Sequence, residues 1–231
     1  NNTAIGKEAL GLNTTGEQNI AIGNYSLDAN VTGNHNVALG YQALTSNTGS
    51  NNTALGHVAL YANTTGTRNV AVGYAALDAN TTADRNTAIG WQALTTNTTG
   101  QYNTAVGDAA LEANTTANYC TAVGQAALAQ NTGGDDNTAI GYNTLDAVTT
   151  GLRNVAVGNK ALSAHTSNYT TAIGFEAGED CNASHNVFVG YQAGLNVTTG
   201  QQNIYIGSGA GNACTTGNQN VFIGHNIGSS T

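Results

Sequence analysis

Small and hydrophobic residues recur along this chain at a nearly constant spacing. A short segment of the type Asn-Thr-Ala-Ile-Gly returns every 17 residues in ten intervals and every 16 residues in three. Such self-similarity at a fixed period indicates a repeat architecture. The glycines that close the fourteen segments are Gly6, Gly23, Gly40, Gly56, Gly73, Gly90, Gly107, Gly124, Gly141, Gly158, Gly174, Gly190, Gly207 and Gly224.

The repeat has one recognisable pattern when the Asn of each segment is counted as position 1. It reads N-[TVI]-A-[IVL]-G-x-x-A-L-x-x-N-T-T-G-x-x. Positions 2 to 4 alternate in the manner of a short strand, and the glycine at position 5 ends it. Positions 8 and 9 form a second apolar stretch, and the Asn-Thr-Thr-Gly stretch reads as a turn. Each repeat therefore predicts one rung of a solenoid.

Parallel stacking of these rungs is the arrangement that the pattern favours. Frequent glycines and β-branched residues oppose a helix, and the chain contains no Asn-Gly or Asp-Gly dipeptide that would mark tight hairpins. We therefore predict an all-β fold, a parallel β-solenoid or β-roll of about fourteen 17-residue rungs. Rungs about 4.8 Å apart would extend over roughly 65 Å.

Two rows of asparagine are predicted to stack as ladders. Position 1 is Asn in twelve of the fourteen copies, with Cys120 and Thr170 as the exceptions, and position 12 is Asn in the first eight copies. Stacked amide side chains can hydrogen-bond from one rung to the next. Both rows therefore read as structural and not as catalytic.

The last copies exchange residues in a correlated way, which divides the chain into residues 1–173 and 174–231. Leu at position 9 becomes glycine, and one rung later Ala at position 3 becomes aromatic. Cores tolerate exchanges that conserve volume, so position 9 of one rung is expected to contact position 3 of the next. The residues are Gly178, Gly194, Gly211 and Gly228, with Phe188, Tyr205 and Phe222.

Composition and charge exclude several classes of function. The formal charge is −8 with five Lys and Arg residues, which disfavours nucleic-acid binding. No apolar run reaches the length of a membrane span. Cys120, Cys181 and Cys214 have no metal-type spacing, and free buried thiols are expected. No catalytic motif, cofactor site or calcium loop is recognisable, so we expect a protein that is not an enzyme and binds no cofactor or metal.

Both faces of the predicted strand are apolar, which predicts a partner chain. Positions 2 and 4 lie on one face, and the small Ala of position 3 lies on the other. Three copies around a threefold axis would bury the Ala face at the centre. A homotrimer, or an end-to-end fibre where no polar cap closes the stack, is therefore the expected assembly.

The segment from Asn86 to Leu94, followed by Asn97 to Gly100, resembles the shaft repeats of phage tail-fibre and tail-spike proteins. It is also similar to the head repeats of trimeric autotransporter adhesins, whose repeats are shorter. The resemblance covers essentially the whole chain. It implies a trimeric parallel β-roll, an extracellular location on a virion tail fibre or a bacterial surface, and a structural role.

Position 6, directly after each strand glycine, carries the candidate contact site. Aromatic rings there could stack on the sugars of a cell-surface glycan or contact a protein receptor. Alternatively, they could cover the turn of an adjacent rung or a neighbouring subunit. These residues are Tyr41, Tyr74, Trp91, Tyr142, Phe175 and Tyr191.

The expected function is that of a structural and adhesive fibre segment that projects a binding surface toward a receptor. The alternative is a β-solenoid that binds ice or a glycan surface, although the turn threonines do not form a regular Thr-x-Thr array. A third class, a polysaccharide-degrading tail spike, needs a pair of carboxylates in a groove, and no such pair is assignable from the sequence.

Overall fold

The computed structural model describes residues 1–228 and divides the chain into two compact units, residues 1–118 and 119–231. Each unit is a parallel β-solenoid built from seven three-residue strands, and the described residues contain no helix. The predicted all-β solenoid is therefore confirmed. The strands of the first unit are β1 (Thr3–Ile5), β2 (Ile20–Ile22), β3 (Val37–Leu39), β4 (Thr53–Leu55), β5 (Val70–Val72), β6 (Thr87–Ile89) and β7 (Thr104–Val106).

The second unit repeats this order, with one strand in every rung. The subregions 1–173 and 174–231 mark a change of core residues, and as domains they stay a prediction. The strands are β8 (Thr121–Val123), β9 (Thr138–Ile140), β10 (Val155–Val157), β11 (Thr171–Ile173), β12 (Val187–Val189), β13 (Ile204–Ile206) and β14 (Val221–Ile223).

Successive strands within each unit pair in parallel, and equivalent repeat positions lie side by side. In the first unit Ala71 pairs with Ala88, and in the second Ala139 pairs with Ala156. Backbone hydrogen bonds between rungs continue outside the strands, for example from Leu77 N–H to the Ala93 carbonyl at 3.1 Å. Backbone N–H and carbonyl groups of each rung are thus satisfied by the main chain of the neighbouring rungs.

The 16-residue rungs keep the same strand register because their missing residue falls in the turn after position 12. In the first unit, Asn47 is followed by one threonine before Gly49 instead of the usual two, yet Val37 still pairs with Thr53. A turn absorbs the deletion more easily, since a one-residue slip in a strand would turn its inward side chains outward.

Six positions of the repeat point inward and form the core, namely positions 1, 3, 8, 9, 12 and 15. In the rung that begins at Asn69, Ala71, Ala76, Leu77 and Asn80 are all fully buried. The expectation that a partner chain buries the Ala face is wrong, because the opposite wall of the same rung already covers it. Three-residue strands with apolar residues on both sides do not reveal which side faces inward.

Tight contact between rungs explains the invariant glycine at position 5. Its φ is +136° at Gly73, where a Cβ atom would lie 2.2 Å from the carbonyl oxygen of Gly90. Position 9 is also left-handed, with φ of +53° at Leu77. A leucine in this region is strained, so its backbone conformation is held by the packing around it.

Leucine at position 9 is replaced by glycine in the last rungs because an aromatic ring lies directly against that position. A Cβ atom on Gly178 would lie 2.6 Å from the ring of Phe188, which confirms the predicted contact with the next rung. At Gly194 and Gly211 the nearest ring belongs to the same rung, since a Cβ atom would lie 2.4 Å from Phe188 and 2.3 Å from Tyr205. Each of these rings therefore occupies the space that a leucine side chain at position 9 of the same rung would fill. Phe188 also occupies the corresponding space in the preceding rung.

Two asparagine ladders bind the rungs together, in two different ways. At position 12, Asn80 Nδ2 donates to Asn63 Oδ1 at 2.8 Å, so side chain bonds to side chain as predicted. At position 1, Asn69 Oδ1 accepts from the Asn86 backbone N–H at 2.9 Å, and Asn69 Nδ2 donates to the Ala83 carbonyl at 2.8 Å. The position-1 ladder therefore mainly satisfies main-chain groups.

Candidate functional site

The outward face of the strands is an apolar surface in each unit. Positions 2 and 4 point outward, and no residue at either position is charged in any of the fourteen strands. Position 4 is Ile, Leu or Val throughout. The residue is about two fifths exposed at Leu55 (42%) and Ile89 (40%) in the first unit and at Ile173 (43%) in the second. We call the outward side chains of positions 2 and 4 the strand face.

Parallel in-register pairing places these side chains in two straight columns. Position 2 mixes Thr with Val and Ile, as in Thr53, Val70 and Thr87 on successive rungs. The columns repeat at the spacing of the strands, about 4.8 Å. The strand face is therefore regular, uncharged and largely aliphatic.

Aromatic side chains at position 6 form a stacked column beside the strand face of the first unit. Tyr41 and Tyr74 both stack on His57, with ring centroids 5.2 Å and 5.5 Å from it, and Trp91 continues the stack 6.3 Å beyond Tyr74. The sequence prediction missed His57, although it occupies the same repeat position. The structure thus brings Tyr41, Tyr74 and Trp91 together through a histidine.

In the second unit the predicted aromatic residues form a shorter group. Phe175 and Tyr191 stack with centroids 5.6 Å apart and planes inclined by 8°. Tyr142 lies two rungs before Phe175, and Asn159 occupies the rung between them. Tyr142 is therefore not continuous with that pair.

The stacking determines what the position-6 rings can contact. All six predicted residues are between 42% and 53% exposed, so about half of the surface of each is available for contact. Neighbouring rings overlap in an offset stack, which covers part of each π-face and leaves the edges toward solvent. A sugar that packs on a complete ring face would find such a face only at the end of a column. The arrangement thus favours contacts with ring edges over a flat sugar platform.

A second column, at position 17 on the other side of the strand, was not singled out from the sequence. It holds all three arginines of the chain, Arg68, Arg85 and Arg153, together with several aromatic residues. In the first unit the Arg85 guanidinium lies 5.0 Å from the centroid of the Tyr102 ring and donates a hydrogen bond to the Tyr102 hydroxyl. Counting residue types at each repeat position would have revealed this column.

The buried titratable groups belong to the core of the second unit. Burial raises the pKa of the Cys120 thiol to about 12 and that of Cys181 to about 11, so neither thiol is poised as a nucleophile. His165 is fully buried, with Nδ1 2.9 Å from the Cys181 carbonyl oxygen, and burial lowers its pKa. All three cysteines are buried and none of them forms a disulfide, as expected.

Residues 1–228 contain neither a metal-type cluster nor a membrane-spanning helix. No group of three or more His, Cys, Asp or Glu side chains there could hold a metal ion. The same residues include no helix long and apolar enough to cross a membrane.

Comparisons with protein families and with curated proteins do not assign the chain to a family. No protein-family model matches it, and no curated protein matches it significantly. Function must therefore be argued from the surfaces described above.

Proposed function

We propose that this chain is a structural and adhesive fibre segment, of the kind found in phage tail fibres or bacterial surface adhesins. The observation that carries the proposal is the strand face. Seven rungs at about 4.8 Å and a width of three residues give each unit an apolar face on the order of 300 Å². The largest apolar patch on a typical monomer is about this size and is often functional.

The proposed assembly is a homotrimer in which the strand faces of neighbouring chains are buried. This differs from the arrangement expected from the sequence, because the Ala row lies inside each chain and the aliphatic row is the one available for contact. Repetition supports a structural role, since each rung contacts only its neighbours and the interface grows with the number of rungs. The resemblance to trimeric fibre repeats motivates the choice of three chains.

Light scattering on a sizing column tests this proposal directly. A trimer should give a mass of about 70 kDa, three times the 23.3 kDa of one chain. The variant Leu55→Lys/Ile89→Lys places two charges on the strand face and should shift the mass to that of one chain, because an unpaired buried charge is costly. The matched control Thr65→Lys/Thr99→Lys adds the same charges at exposed turn positions and should leave the mass unchanged. A wild-type monomer would contradict the proposed assembly.

Ice binding is the second candidate, and the geometry of the strand face favours it more than the sequence did. Threonine and aliphatic side chains alternate outward at positions 2 and 4 on a regular lattice, as in Thr87 and Ile89 followed by Thr104 and Val106. A monomer that shows thermal hysteresis, lost in Leu55→Lys/Ile89→Lys, would support this function in place of the fibre.

A further inference from the structure

The positive charge of this acidic chain is concentrated at one repeat position. Three of its five Lys and Arg residues are arginines, and all three occupy position 17. Arg68 and Arg85 lie on successive rungs of the first unit, since Val70 and Thr87, two residues further along, are paired. Their backbones are therefore about 4.8 Å apart.

Neither of these two arginines forms an ion pair within the part of the chain that the structure describes. Asp84 is the acid next to Arg85 in sequence, but its Oδ1 accepts hydrogen bonds from the Thr67 backbone N–H at 2.6 Å and from the Thr67 hydroxyl at 2.9 Å. Both arginines are exposed. Two like charges on adjacent rungs repel each other, and an anion bound between them would relieve that repulsion.

Tyr102 holds one of the two guanidinium groups in place. The Arg85 guanidinium packs on the Tyr102 ring, and one of its N–H groups donates to the Tyr102 hydroxyl. A guanidinium has five N–H donors in a planar fork that matches a carboxylate. The contact with Tyr102 therefore orients Arg85 and leaves further donors for a ligand.

The second unit contains a neutralised counterpart of this site. Arg153 also occupies position 17 and lies near a tyrosine ring, that of Tyr169, with its guanidinium 5.8 Å from the ring centroid. Its Nε, however, lies 3.4 Å from Oδ2 of Asp136, at position 17 of the preceding rung. The same local structure thus occurs once with an internal carboxylate and once without one.

We propose that Arg68, Arg85 and Tyr102 form a binding site for the carboxylate groups of an acidic glycan. Asp136 shows in the second unit that a carboxylate fits beside an arginine of this column. Arg68 holds the corresponding position in the first unit, so the glycan carboxylate would lie between the two guanidinium groups. The proposal rests on the adhesive role proposed above and names the class of its receptor.

A uronate glycan fits this site better than a dense polyanion does. The patch has two arginines on a chain of net charge −8, so a nucleic acid with a phosphate at every step would be repelled outside the patch. The hydroxyl and amide groups of neighbouring residues at positions 16 and 17, such as Ser50 and Asn51, can hydrogen-bond sugar hydroxyls. Sugar residues between carboxylates also carry apolar C–H surface for the edge of the Tyr102 ring.

Isothermal titration calorimetry with oligogalacturonate tests the proposal on the 231-residue chain. The variant Arg68→Gln/Arg85→Gln should lose affinity by about tenfold or more, because both charge-assisted contacts are removed. The matched control Arg153→Gln removes an arginine at the same repeat position and should bind as the wild type does. A neutral β-1,4-glucan oligosaccharide should not bind, and binding of oligogalacturonate should weaken as salt is raised.

Three results would overturn the inference. The first is that the wild type does not bind oligogalacturonate, and the second is that Arg153→Gln loses as much affinity as Arg68→Gln/Arg85→Gln. The third is that inorganic phosphate binds as tightly as oligogalacturonate, which would indicate a general anion site. Light scattering on the same samples separates this inference from the proposed assembly. A trimer that does not bind oligogalacturonate contradicts only the glycan site, whereas a monomer that binds it contradicts only the trimer.

Discussion

Buried asparagine is the residue that makes this core unusual, because amide groups take places that aliphatic side chains usually hold. An amide left without partners inside a protein is costly. Most of the buried asparagines here find partners in the adjacent rung or in their own turn, with Oδ1 of Asn30 and Oδ1 of Asn114 as the exceptions. In the first unit Asn97 Nδ2 donates to Asn80 Oδ1 at 3.1 Å and also to the Gly100 carbonyl at 3.0 Å. The ladder therefore specifies register as well as contributing stability.

We expect Asn80→Ala to destabilise the first unit by about 2–3 kcal/mol, because Asn63 Oδ1 and Asn97 Nδ2 each lose a partner in a buried setting. Urea unfolding followed by circular dichroism measures the change. The comparison variant is Asn13→Ala in the first rung, where the side chain is only half-buried. Its cost should stay below about 1 kcal/mol, and equal costs at the two sites would refute the ladder as the cause.

His165 should make stability depend on pH in a defined direction. Burial lowers its pKa below the ordinary value of 6.5, so the unfolded chain binds a proton more readily than the folded chain does. Its contribution is fully present above pH 6.5 and declines as pH falls from 6.5 toward the lowered folded-state pKa. Melting temperatures between about pH 7.5 and 5 should fall in the wild type and change less in His165→Asn. If the melting temperature depends on pH as steeply in His165→Asn as in the wild type, other groups cause the dependence. The control is His35→Asn, which replaces an exposed histidine.

At the scale of one rung, the sequence predicted the strands well and their orientation poorly. All fourteen predicted segments are strands, because glycine and β-branched residues fix the backbone locally. The direction of each side chain depends on the opposite wall of the rung, which no local pattern encodes. Ala88 is fully buried, as are Leu94 and Asn97 of the same rung, whereas Ile89 is 40% exposed.

The pair of Phe188 and Gly194 should behave as a single packing unit. Phe188→Ala opens a cavity that typically costs about 3–5 kcal/mol, and Gly194→Leu places a side chain where the ring lies 2.4 Å from a Cβ atom. The double variant recreates the Ala88 and Leu94 pairing of the first unit. A double-mutant cycle in urea should therefore give a combined cost at least about 2 kcal/mol below the sum of the single costs. Additive costs would show that the two residues do not share one volume.

At the scale of the whole molecule, the sequence predicted the repeat architecture but not which side chains meet on its surfaces. The position-6 aromatics were predicted because rings stand out in a polar sequence, and the stack through His57 follows from their common repeat position. The Arg68 and Arg85 pair was missed because its meaning depends on which carboxylates lie near it. Ion pairing between rungs, such as that of Arg153 with Asp136, is visible only once the rungs are stacked.

Removal of one complete rung should leave a folded protein, because every rung meets its neighbours in the same way. Deletion of residues 69–85 joins position 17 of one rung to position 1 of another, so the core, the ladders and the backbone hydrogen bonds can all be re-formed. The far-ultraviolet circular dichroism spectrum per residue should stay unchanged, and the urea m-value should fall with the surface that is lost. Deletion of residues 69–76 removes about half a rung and brings position 17 next to position 9. That chain cannot close its rung in phase, so it should lose cooperative unfolding. Cooperative, native-like unfolding of this half-rung variant would show that the fold does not depend on repeat phase.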